Sequence, residues 1–339
     1  MKNIYIPPEW APHQATWFTW PHNQETWPTA LKAVNEQLIR VVNILSEVEE
    51  VHIGVNDIHD IHYLDAKFNH SQTRSNIFLH QAPSNDAWAR DHGSIFGQDS
   101  LGERIGLNFQ YNAWGGKYLP YEKDNAIGSY MSDIFGGEQI KIDLVLEGGA
   151  IDLSGDEILM TTKECLLHPN RNPQLDQTEI EKSLKYYFNV KDVLWLDRGI
   201  EGDDTDGHID EIARFVSKDR IIVMTQANPN DVNYHSLNNN LDRLKRYQEI
   251  IHDIDIVELA MPSIELGTPH IKFPASYANF YIANEIVLLP IFHCKQDDQA
   301  IKIISACFPT RDVIPIDSRA FMEGLGGIHC LTQQIPKIN

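Results

Sequence analysis

The sequence predicts an α/β fold built as a ring of small modules, each made of two strands, a helix and a further strand. Two observations lead to this prediction. Amphipathic helical patterns recur five times along the chain, and each is followed within a few residues by a short apolar strand pattern. Hairpin-like strand pairs lie between these units, with turn centres near Gly155, Lys218 and Asn284 at an almost constant spacing.

The five helical patterns carry apolar residues at three- and four-residue intervals, which places those residues on one face of a helix. In the first pattern this face consists of Leu31, Val34, Leu38, Val41 and Leu45. The predicted helices cover residues 30–47, 124–135, 176–188, 234–253 and 297–307. The strands that follow them begin at residues 51, 141, 193, 255 and 313.

Three hairpin-like pairs of apolar segments surround polar turns and cover residues 149–162, 210–225 and 278–291. The first and last modules are incomplete, so we expect the segments 15–20 and 328–333 to pair and close the ring. A doubly wound sheet would need mostly parallel strands joined by helices, and the recurring hairpins speak against it.

Composition and charge exclude several classes of function. The chain has 339 residues, 42% of them hydrophobic, and a formal net charge of −20, which argues against a nucleic-acid surface and favours a cationic partner. No apolar run approaches the roughly 18 residues that span a bilayer. The N-terminal segment lacks the apolar region of a secretory signal, and the four cysteines have no paired or metal-binding spacing. We therefore expect a cytoplasmic protein with reduced thiols and no membrane partner.

Residues 203–216, DDTDGHIDEIARFV, place a histidine between two groups of acids ahead of an apolar run. One interpretation is a solvated acidic loop. A calcium-binding loop fails, because with Gly207 at the sixth position the required first Asp and last Glu are missing. A third interpretation is a strand that enters a site with His208 and Asp210 on one face. An imidazole beside a carboxylate suits acid–base chemistry.

In a ring of modules, the polar segments at the start of each module would converge on one central cavity. The candidate site residues in those segments are Asp86, Asp91, Glu147, His208, Asp210, Asn279 and Cys330. A lone cysteine such as Cys330 is more often a small core residue, but Gly326, Gly327 and the polar segment after it favour a nucleophile. Trp88 either packs in the core or lines the wall of the cavity.

Other chemistries find little support in the sequence. No GxSxG segment indicates a serine hydrolase, and WGGKY lacks the upstream Gly and the Ser or Thr of a phosphate-binding loop. His59 and His62 lie among aspartates in DIHDIHYLD, but their helix-like spacing fits a solvated face better than a metal site. We expect neither a metal nor an organic cofactor.

Several long motifs are distributed over nearly the whole chain: PPEWAPHQATWFTWP, NDAWARD, NAWGGKY, LEGGAID, TTKECLLHPNRNP, GDDTDGHID and GGIHCLTQQ. This set resembles the agmatine deiminases and bacterial peptidylarginine deiminases of the guanidino-modifying enzyme superfamily. The resemblance implies a single catalytic domain over residues 1–339. It also implies the family fold, a five-bladed α/β propeller (pentein) of ββαβ repeats in a pseudo-fivefold arrangement, which agrees with the repeat described above.

The resemblance also implies a mechanism by covalent catalysis. Cys330 matches the family's nucleophile, His208 and Asp210 match its HxD pair, Asp91 the Asp of WxRD, and Glu147 the Glu of EGG. Asp91 and Asp210 would each hold two N–H groups of a guanidinium in fork geometry. His208 would protonate the departing ammonia and then activate water, and Glu147 would orient His208.

The positions expected to bind the rest of the substrate are Trp88, Asp86, Asp204 and Asn279. A small dication suits a strongly acidic chain, so we expect agmatine, converted to N-carbamoylputrescine and ammonia on a route to putrescine. The alternatives are peptidylarginine or free arginine, and a propeller that binds guanidino ligands without turnover. Two positions depart from the family pattern, since Glu211 and Gly327 stand where Asn is common. For the oligomeric state, the assembly to be tested is a homodimer.

Overall fold

The computed structural model describes residues 4–155, 157–250, 254–264 and 272–338. Within these residues the strands form five small sheets, one of four strands and four of three, and helices join strands within each sheet. The fold is therefore α/β, as predicted. No helix in the described part of the chain combines the length and the apolar character needed to cross a membrane.

The elements alternate along the chain as the sequence patterns predict. The strands are β1 (His13–Thr19), β2 (Glu50–Val55), β3 (Ile77–Gln81), β4 (Ile95–Gln98), β5 (Arg104–Gln110), β6 (Glu138–Val145), β7 (Ile151–Leu153), β8 (Ile158–Thr162), β9 (Asp192–Leu196), β10 (Ala213–Ser217), β11 (Arg220–Thr225), β12 (Asp255–Ala260), β13 (Tyr281–Ile282), β14 (Ile286–Ile291), β15 (Asp312–Asp317) and β16 (Thr332–Pro336). The helices are α1 (Leu31–Leu45), α2 (Ile58–Phe68), α3 (Ala89–His92), α4 (Ala113–Gly116), α5 (Asp124–Phe135), α6 (Lys163–Leu166), α7 (Gln177–Phe188), α8 (Tyr234–Ile250) and α9 (Asp297–Cys307).

Four of the sheets share one construction: β4 to β6, β7 to β9, β10 to β12 and β13 to β15. In each, the first two strands form an antiparallel hairpin, and the chain then passes through a helix to a third strand parallel to the second. The predicted unit of two strands, a helix and a strand is confirmed in these sheets. The central strand β14 is buried along nearly its whole length, which explains its continuous apolar sequence IVLLPI.

The predicted helices are confirmed to within two residues at their described ends. Helix α1 buries the predicted apolar face at Val34, Leu38, Val41 and Leu45. Helix α7 begins with a capping box, in which the side chain of residue 176 and that of residue 179 each accept the other's backbone N–H. The helix predicted over 234–253 is confirmed as far as Ile250, and residues 251–253 lie outside the described residues.

The two ends of the chain meet in the first sheet, whose strand order is β16, β1, β2 and β3. Strand β1 pairs antiparallel with β16, which places Phe18 opposite Thr332, and parallel with β2. The predicted pairing of the terminal segments is confirmed. The C-terminal strand begins only at Thr332, however, so Cys330 lies in the turn that leads into the strand.

A buried carboxylate, Glu9, connects segments from several sheets. Its Oε2 lies 3.0 Å from Arg214 Nη2 and 3.2 Å from Arg90 Nη2, and it accepts a 2.8 Å hydrogen bond from His329 Nε2. Its Oε1 accepts the backbone N–H of Ile282 at 2.8 Å. Burial alone would raise the pKa of Glu9, but Arg214, His329 and Arg90 hold that pKa well below its usual value.

We expect the Glu9→Ala substitution to lower the free energy of unfolding by about 3–5 kcal/mol, because it leaves buried cations without their anion. Glu157→Ala is the matched control, since Glu157 also contacts two cations, Lys191 and Lys218, but at the surface. That substitution should cost at most about 1 kcal/mol. Urea unfolding of the two variants measures both values, and equal losses would contradict the role given to Glu9.

Candidate active site

A cavity of about 800 Å³ has on its wall five of the predicted site residues: Asp86, Trp88, Asp91, Asp204 and Cys330. The other four are buried beside these residues: Glu147, His208, Asp210 and Asn279. The acidic side chains of the wall are Glu25, Asp86, Asp91, Asp124, Asp204 and Glu323. Among the described residues, Lys117 is the one lysine or arginine that lines this cavity. The excess of negative charge suits a cationic ligand.

The thiol of Cys330 lies at the cavity wall and is 7% exposed. Its Sγ accepts a hydrogen bond from Asn279 Nδ2 at 3.2 Å and lies 3.9 Å from Asp210 Oδ2 and 3.8 Å from Glu211 Oε1. Burial raises the pKa of this thiol well above its usual value, and Asp210, Glu211 and Asp91 raise it further. The free protein therefore holds a neutral thiol, which a bound cation would help to ionise.

His208 and two carboxylates surround the backbone of Gly149. A Cβ atom at this position would lie 2.6 Å from His208 Nδ1, 2.8 Å from Asp91 Oδ1 and 3.1 Å from Asp210 Oδ2, so these groups require a residue without a side chain here. His208 Nδ1 lies 3.6 Å from Asp91 Oδ1. Burial lowers the pKa of His208, but Asp91, Cys165 and Glu147 outweigh burial and bring that pKa well above its usual value. The imidazole is thus set to carry a proton.

The strand expected to begin at His208 is a wrong prediction. His208 instead precedes a single 3₁₀ turn over Ile209–Glu211. In such a turn, residues three apart lie on the same side, so Glu211 points toward the site together with His208. Asp210 also reaches the site. In a strand, Glu211 would instead have pointed to the face opposite His208 and Asp210. The sequence alone offered no signal for the turn.

Asp210 is held in its ionised form by a histidine that sequence analysis did not identify. Its Oδ2 accepts a 2.7 Å hydrogen bond from His329 Nδ1 and a 3.3 Å one from Asn279 Nδ2. Burial raises the pKa of Asp210, but His329, His208 and Arg214 together lower that pKa below its usual value. Its Oδ1 is buried without a hydrogen-bond partner in the described residues, so this oxygen is available to a ligand.

Asp91 is held by a hydrogen bond from Trp114, a residue that sequence analysis also missed. The Trp114 indole N–H donates to Asp91 Oδ2 at 3.0 Å, and the backbone N–H of Gly149 donates to Oδ1 at 3.1 Å. Burial raises the pKa of Asp91 to about 6, although His208 acts in the opposite direction. Four consecutive residues, 113–116, have positive φ and turn the indole toward Asp91. The paired glycines of WGGKY were the available signal.

Glu147 contacts an arginine and makes no hydrogen bond to His208 in the described residues. Its Oε1 accepts from Arg171 Nε at 2.8 Å, while a carboxylate oxygen, Cys165 Sγ and a His208 ring nitrogen lie within 4.8 Å of one another. Arg171 also pairs with Asp206. The structure places the Glu147 carboxylate near the His208 imidazole without a hydrogen bond between them. The expectation that Glu147 orients His208 therefore stays a prediction.

The substrate-binding predictions fall in two regions of the cavity wall. Asp86 lies beside Asp124, whose Oδ1 accepts the backbone N–H groups of residues 85 and 86 at 2.6 and 3.1 Å. Burial raises the pKa of Asp86, and it raises that of Asp124 to about 7. Asp204 instead contacts Lys117 and accepts a hydrogen bond from Tyr118. Trp88 is buried and packs against Trp114 with ring centroids 6.4 Å apart.

Two groups of possible metal-binding atoms occur in the described residues, and both belong to this site. One joins Glu147, Cys165 and His208, and the other joins Asp210, Glu211 and Cys330. The first carboxylate already faces Arg171, and the second group includes Asp210, which faces His329. We assign no metal to either group. The histidines of DIHDIHYLD lie on the exposed face of α2, as the sequence indicated.

Comparison with known proteins gives consistent matches over the whole chain. The model of the Porphyromonas-type peptidyl-arginine deiminase family matches residues 5–336. A curated relative from Stutzerimonas stutzeri, named agmatine deiminase, is 32% identical over 98% of this chain and 95% of its own length. A relative from Legionella pneumophila, provisionally named agmatine deiminase, is 35% identical over 98% of this chain and 96% of its own length.

Solved structures with the same fold include a cysteine-to-serine variant of C. jejuni agmatine deiminase with substrate bound. It superposes with a TM-score of 0.90 at 31% identity and covers 99% of this chain and 97% of its own. An amidinotransferase from Microseira wollei superposes with a TM-score of 0.55 at 12% identity, over 99% of this chain and 97% of its own. The second likeness concerns the fold alone.

Proposed function

The chain belongs to the Porphyromonas-type peptidyl-arginine deiminase family, and we propose that it hydrolyses the guanidinium group of agmatine to N-carbamoylputrescine and ammonia. The observation that carries this proposal is the pair of carboxyl groups beside the Cys330 thiol, Asp91 and Asp210, in a cavity rich in acids. Curated relatives and a substrate-bound structure named agmatine deiminase support it. The product is a precursor of putrescine.

The first step is binding of the guanidinium cation. Asp210 offers an oxygen without a partner, and Asp91 lies across Gly149 from it. Carboxylates on two sides would fix the planar group with its carbon over Cys330 Sγ. The cation also offsets the acids that keep the thiol neutral, so its arrival lowers the pKa of Cys330, and the thiol releases its proton to the solvent to form the thiolate.

Bond making then proceeds through a covalent intermediate. The thiolate of Cys330 forms a bond to the guanidinium carbon, and the proton of His208 goes to a terminal nitrogen, which leaves as ammonia. His208, now neutral, takes a proton from water as the oxygen adds to the same carbon. As the C–S bond breaks, the added hydroxyl group releases its proton to the solvent, the neutral ureido product departs, and the thiolate of Cys330 and the protonated His208 are restored. His208 suits this role because its neighbours keep it protonated in the free protein.

For the distal ammonium of agmatine, we propose the pair Asp86 and Asp124. Burial raises the pKa of both acids, and neither forms an ion pair with a lysine or arginine in the described residues. The ammonium group of a ligand would supply the positive charge that these two acids lack. Asp204, the other predicted acid, already contacts Lys117 and Tyr118, which favours a supporting role at the cavity wall. Free arginine would bring its carboxylate against these acids.

We also propose that the five sheets are the five blades of a propeller around this cavity. The hairpin, helix and parallel strand repeated in four sheets support this arrangement, as does the closing of the first sheet by the terminal strand β16.

The test of the covalent mechanism is substitution of the nucleophile. We expect Cys330→Ala and Cys330→Ser to abolish ammonia release from agmatine while the fold is retained, because no other group offers a soft nucleophile beside Asp210. With a guanidino substrate that is hydrolysed slowly, mass spectrometry should find an amidino adduct on the Cys330 peptide. Cys294→Ala is the matched control and should remain active. An adduct on Cys165 or Cys307 would refute the choice of thiol.

Substrate choice tests the proposed distal site. Agmatine should exceed free arginine in kcat/KM by more than about a hundredfold, because the arginine carboxylate would lie unpaired among acids. Asp124→Asn should lower kcat/KM for agmatine by about tenfold or more and reduce this discrimination. Asp204→Asn, whose acid already has protein partners, should change it less. If arginine or an arginine-containing peptide is the better substrate, the agmatine proposal is wrong even though the deiminase chemistry stands.

The pH dependence tests the role of Asp91. Its pKa of about 6 predicts that kcat/KM falls as the pH drops through about 6, because the protonated acid no longer holds a cation. Trp114→Phe removes the indole N–H that favours the carboxylate, so this acid limb should move to higher pH. Trp195→Phe is the control, because the Trp195 indole N–H donates to Glu181, outside the cavity wall, and its loss should not move the limb. An unmoved limb in Trp114→Phe would show that another group produces it.

A further inference from the structure

The mechanism above makes no use of Glu211, although its carboxyl group lies next to the reacting sulfur. Glu211 is 3% exposed, and its Oε1 accepts a 2.8 Å hydrogen bond from Asn279 Nδ2. The same oxygen lies 3.8 Å from Cys330 Sγ. Its Oε2 is buried and has no hydrogen-bond partner in the described residues. A buried carboxylate in this position would be costly if it carried a charge.

The charged surroundings of Glu211 are mostly negative. The titratable groups that face it are Asp210, Asp203, His208 and Cys330. No lysine or arginine forms an ion pair with it in the described residues, in contrast to Asp210, which has His329, and Glu147, which has Arg171. Among these four groups, His208 is the one that can carry a positive charge, and Asp91 already contacts that imidazole.

The hydrogen bonds of Asn279 limit how many of the groups around it can be anions, independently of their pKa values. Its Oδ1 accepts the backbone N–H of His329 at 3.0 Å, so Nδ2 must face the site. This nitrogen has two hydrogens but three acceptors, at 2.8 Å from Glu211, 3.2 Å from Cys330 and 3.3 Å from Asp210. Two N–H donors cannot satisfy three anions at once. At least one of the three groups must therefore be neutral. In the free protein the neutral thiol of Cys330 meets this condition, but when Cys330 is a thiolate and Asp210 is ionised, Glu211 is the group left to be neutral.

Asn279 cannot relieve this crowding by moving, because Gly327 packs against it. A Cβ at position 327 would lie 2.2 Å from Asn279 Oδ1 and 2.8 Å from its Cγ. The amide therefore occupies the space that a side chain at 327 would fill.

We propose that Glu211 is a third functional carboxyl group of the site, which carries a proton while the enzyme is active and switches the nucleophile off when it loses that proton. Burial raises the pKa of Glu211 well above its usual value, and Asp210 and Asp203 raise it further. Glu211 therefore keeps its proton to higher pH than an ordinary glutamic acid and loses it as the pH rises through this elevated pKa. Ionised Glu211 places a negative charge 3.8 Å from the sulfur, which opposes formation of the thiolate.

This inference rests on the proposed function only in taking Cys330 as the nucleophile. Its test measures the thiol of the free enzyme, without agmatine, so the two proposals fail separately. The rate of alkylation of Cys330 by iodoacetamide is followed from neutral to alkaline pH in the wild type and in Glu211→Gln, with the modified peptide quantified by mass spectrometry. Gln keeps the size of the side chain and an oxygen for Asn279 but cannot ionise.

In Glu211→Gln, the midpoint of Cys330 alkylation should lie lower by about one pH unit or more, because the charge that opposes the thiolate can no longer form. Ammonia release from agmatine at neutral pH should stay within about threefold of the wild type, while its decline at high pH moves to higher pH. Glu211→Asp, with a shorter acid farther from the sulfur, should shift the midpoint less. Glu157→Gln is the surface control and should shift nothing.

Two results would overturn the proposal. An alkylation midpoint identical in the wild type and Glu211→Gln would mean that Glu211 does not affect the thiol. A loss of more than about a hundredfold at neutral pH in a folded Glu211→Gln variant would mean that the group works as an anion. If Glu211→Gln does not fold, the graded shift in Glu211→Asp decides between these outcomes, and its absence counts against the proposal.

Discussion

The contact of Glu9 with two arginines, Arg90 and Arg214, and with the imidazole of His329 is the constraint on which the site depends. Each of these partners is buried, and each comes from a different part of the chain. Removing any buried charge from its partners is costly, so the packing of the N-terminal segment and the placing of these partners are linked. His329 extends this link, because its second ring nitrogen holds Asp210 beside the Cys330 thiol.

The carboxyl groups of the site differ because their partners differ. Asp210 has a histidine on one oxygen and stays ionised, while Asp91 has an indole and a backbone N–H and has a pKa near 6. Glu211 accepts from an amide and forms no ion pair with a lysine or arginine in the described residues, so its neutral form is favoured. Burial alone would raise the pKa of all three. The hydrogen-bond partners of each carboxyl group therefore decide whether that group is ionised and can bind a cation, or holds a proton.

A chain of ion pairs extends from His208 toward the wall of the cavity. Glu147 lies near the imidazole and pairs with Arg171, Arg171 pairs with Asp206, and Asp206 contacts Lys117 at 2.8 Å. Lys117 directly follows the left-handed turn that places Trp114 over Asp91. The segment 113–117 therefore contacts Asp91 directly, through Trp114, and is linked to the surroundings of His208 through the ion pairs of Lys117. Positive φ at a non-glycine residue costs about 1–2 kcal/mol, and these contacts offset that cost.

The sequence by itself determined the local elements and most of the site's membership. The three- and four-residue spacing predicted the helices, the hairpins predicted the antiparallel pairs, and the motifs led to Cys330, His208 and Asp91. These features are local, because periodicity and turn chemistry act within a few residues. Only the tertiary structure decided the state of each group. The 3₁₀ turn that directs Glu211 inward, and the pairing of His329 with Asp210, depend on contacts between residues distant in sequence, and burial and partners set which acids are charged.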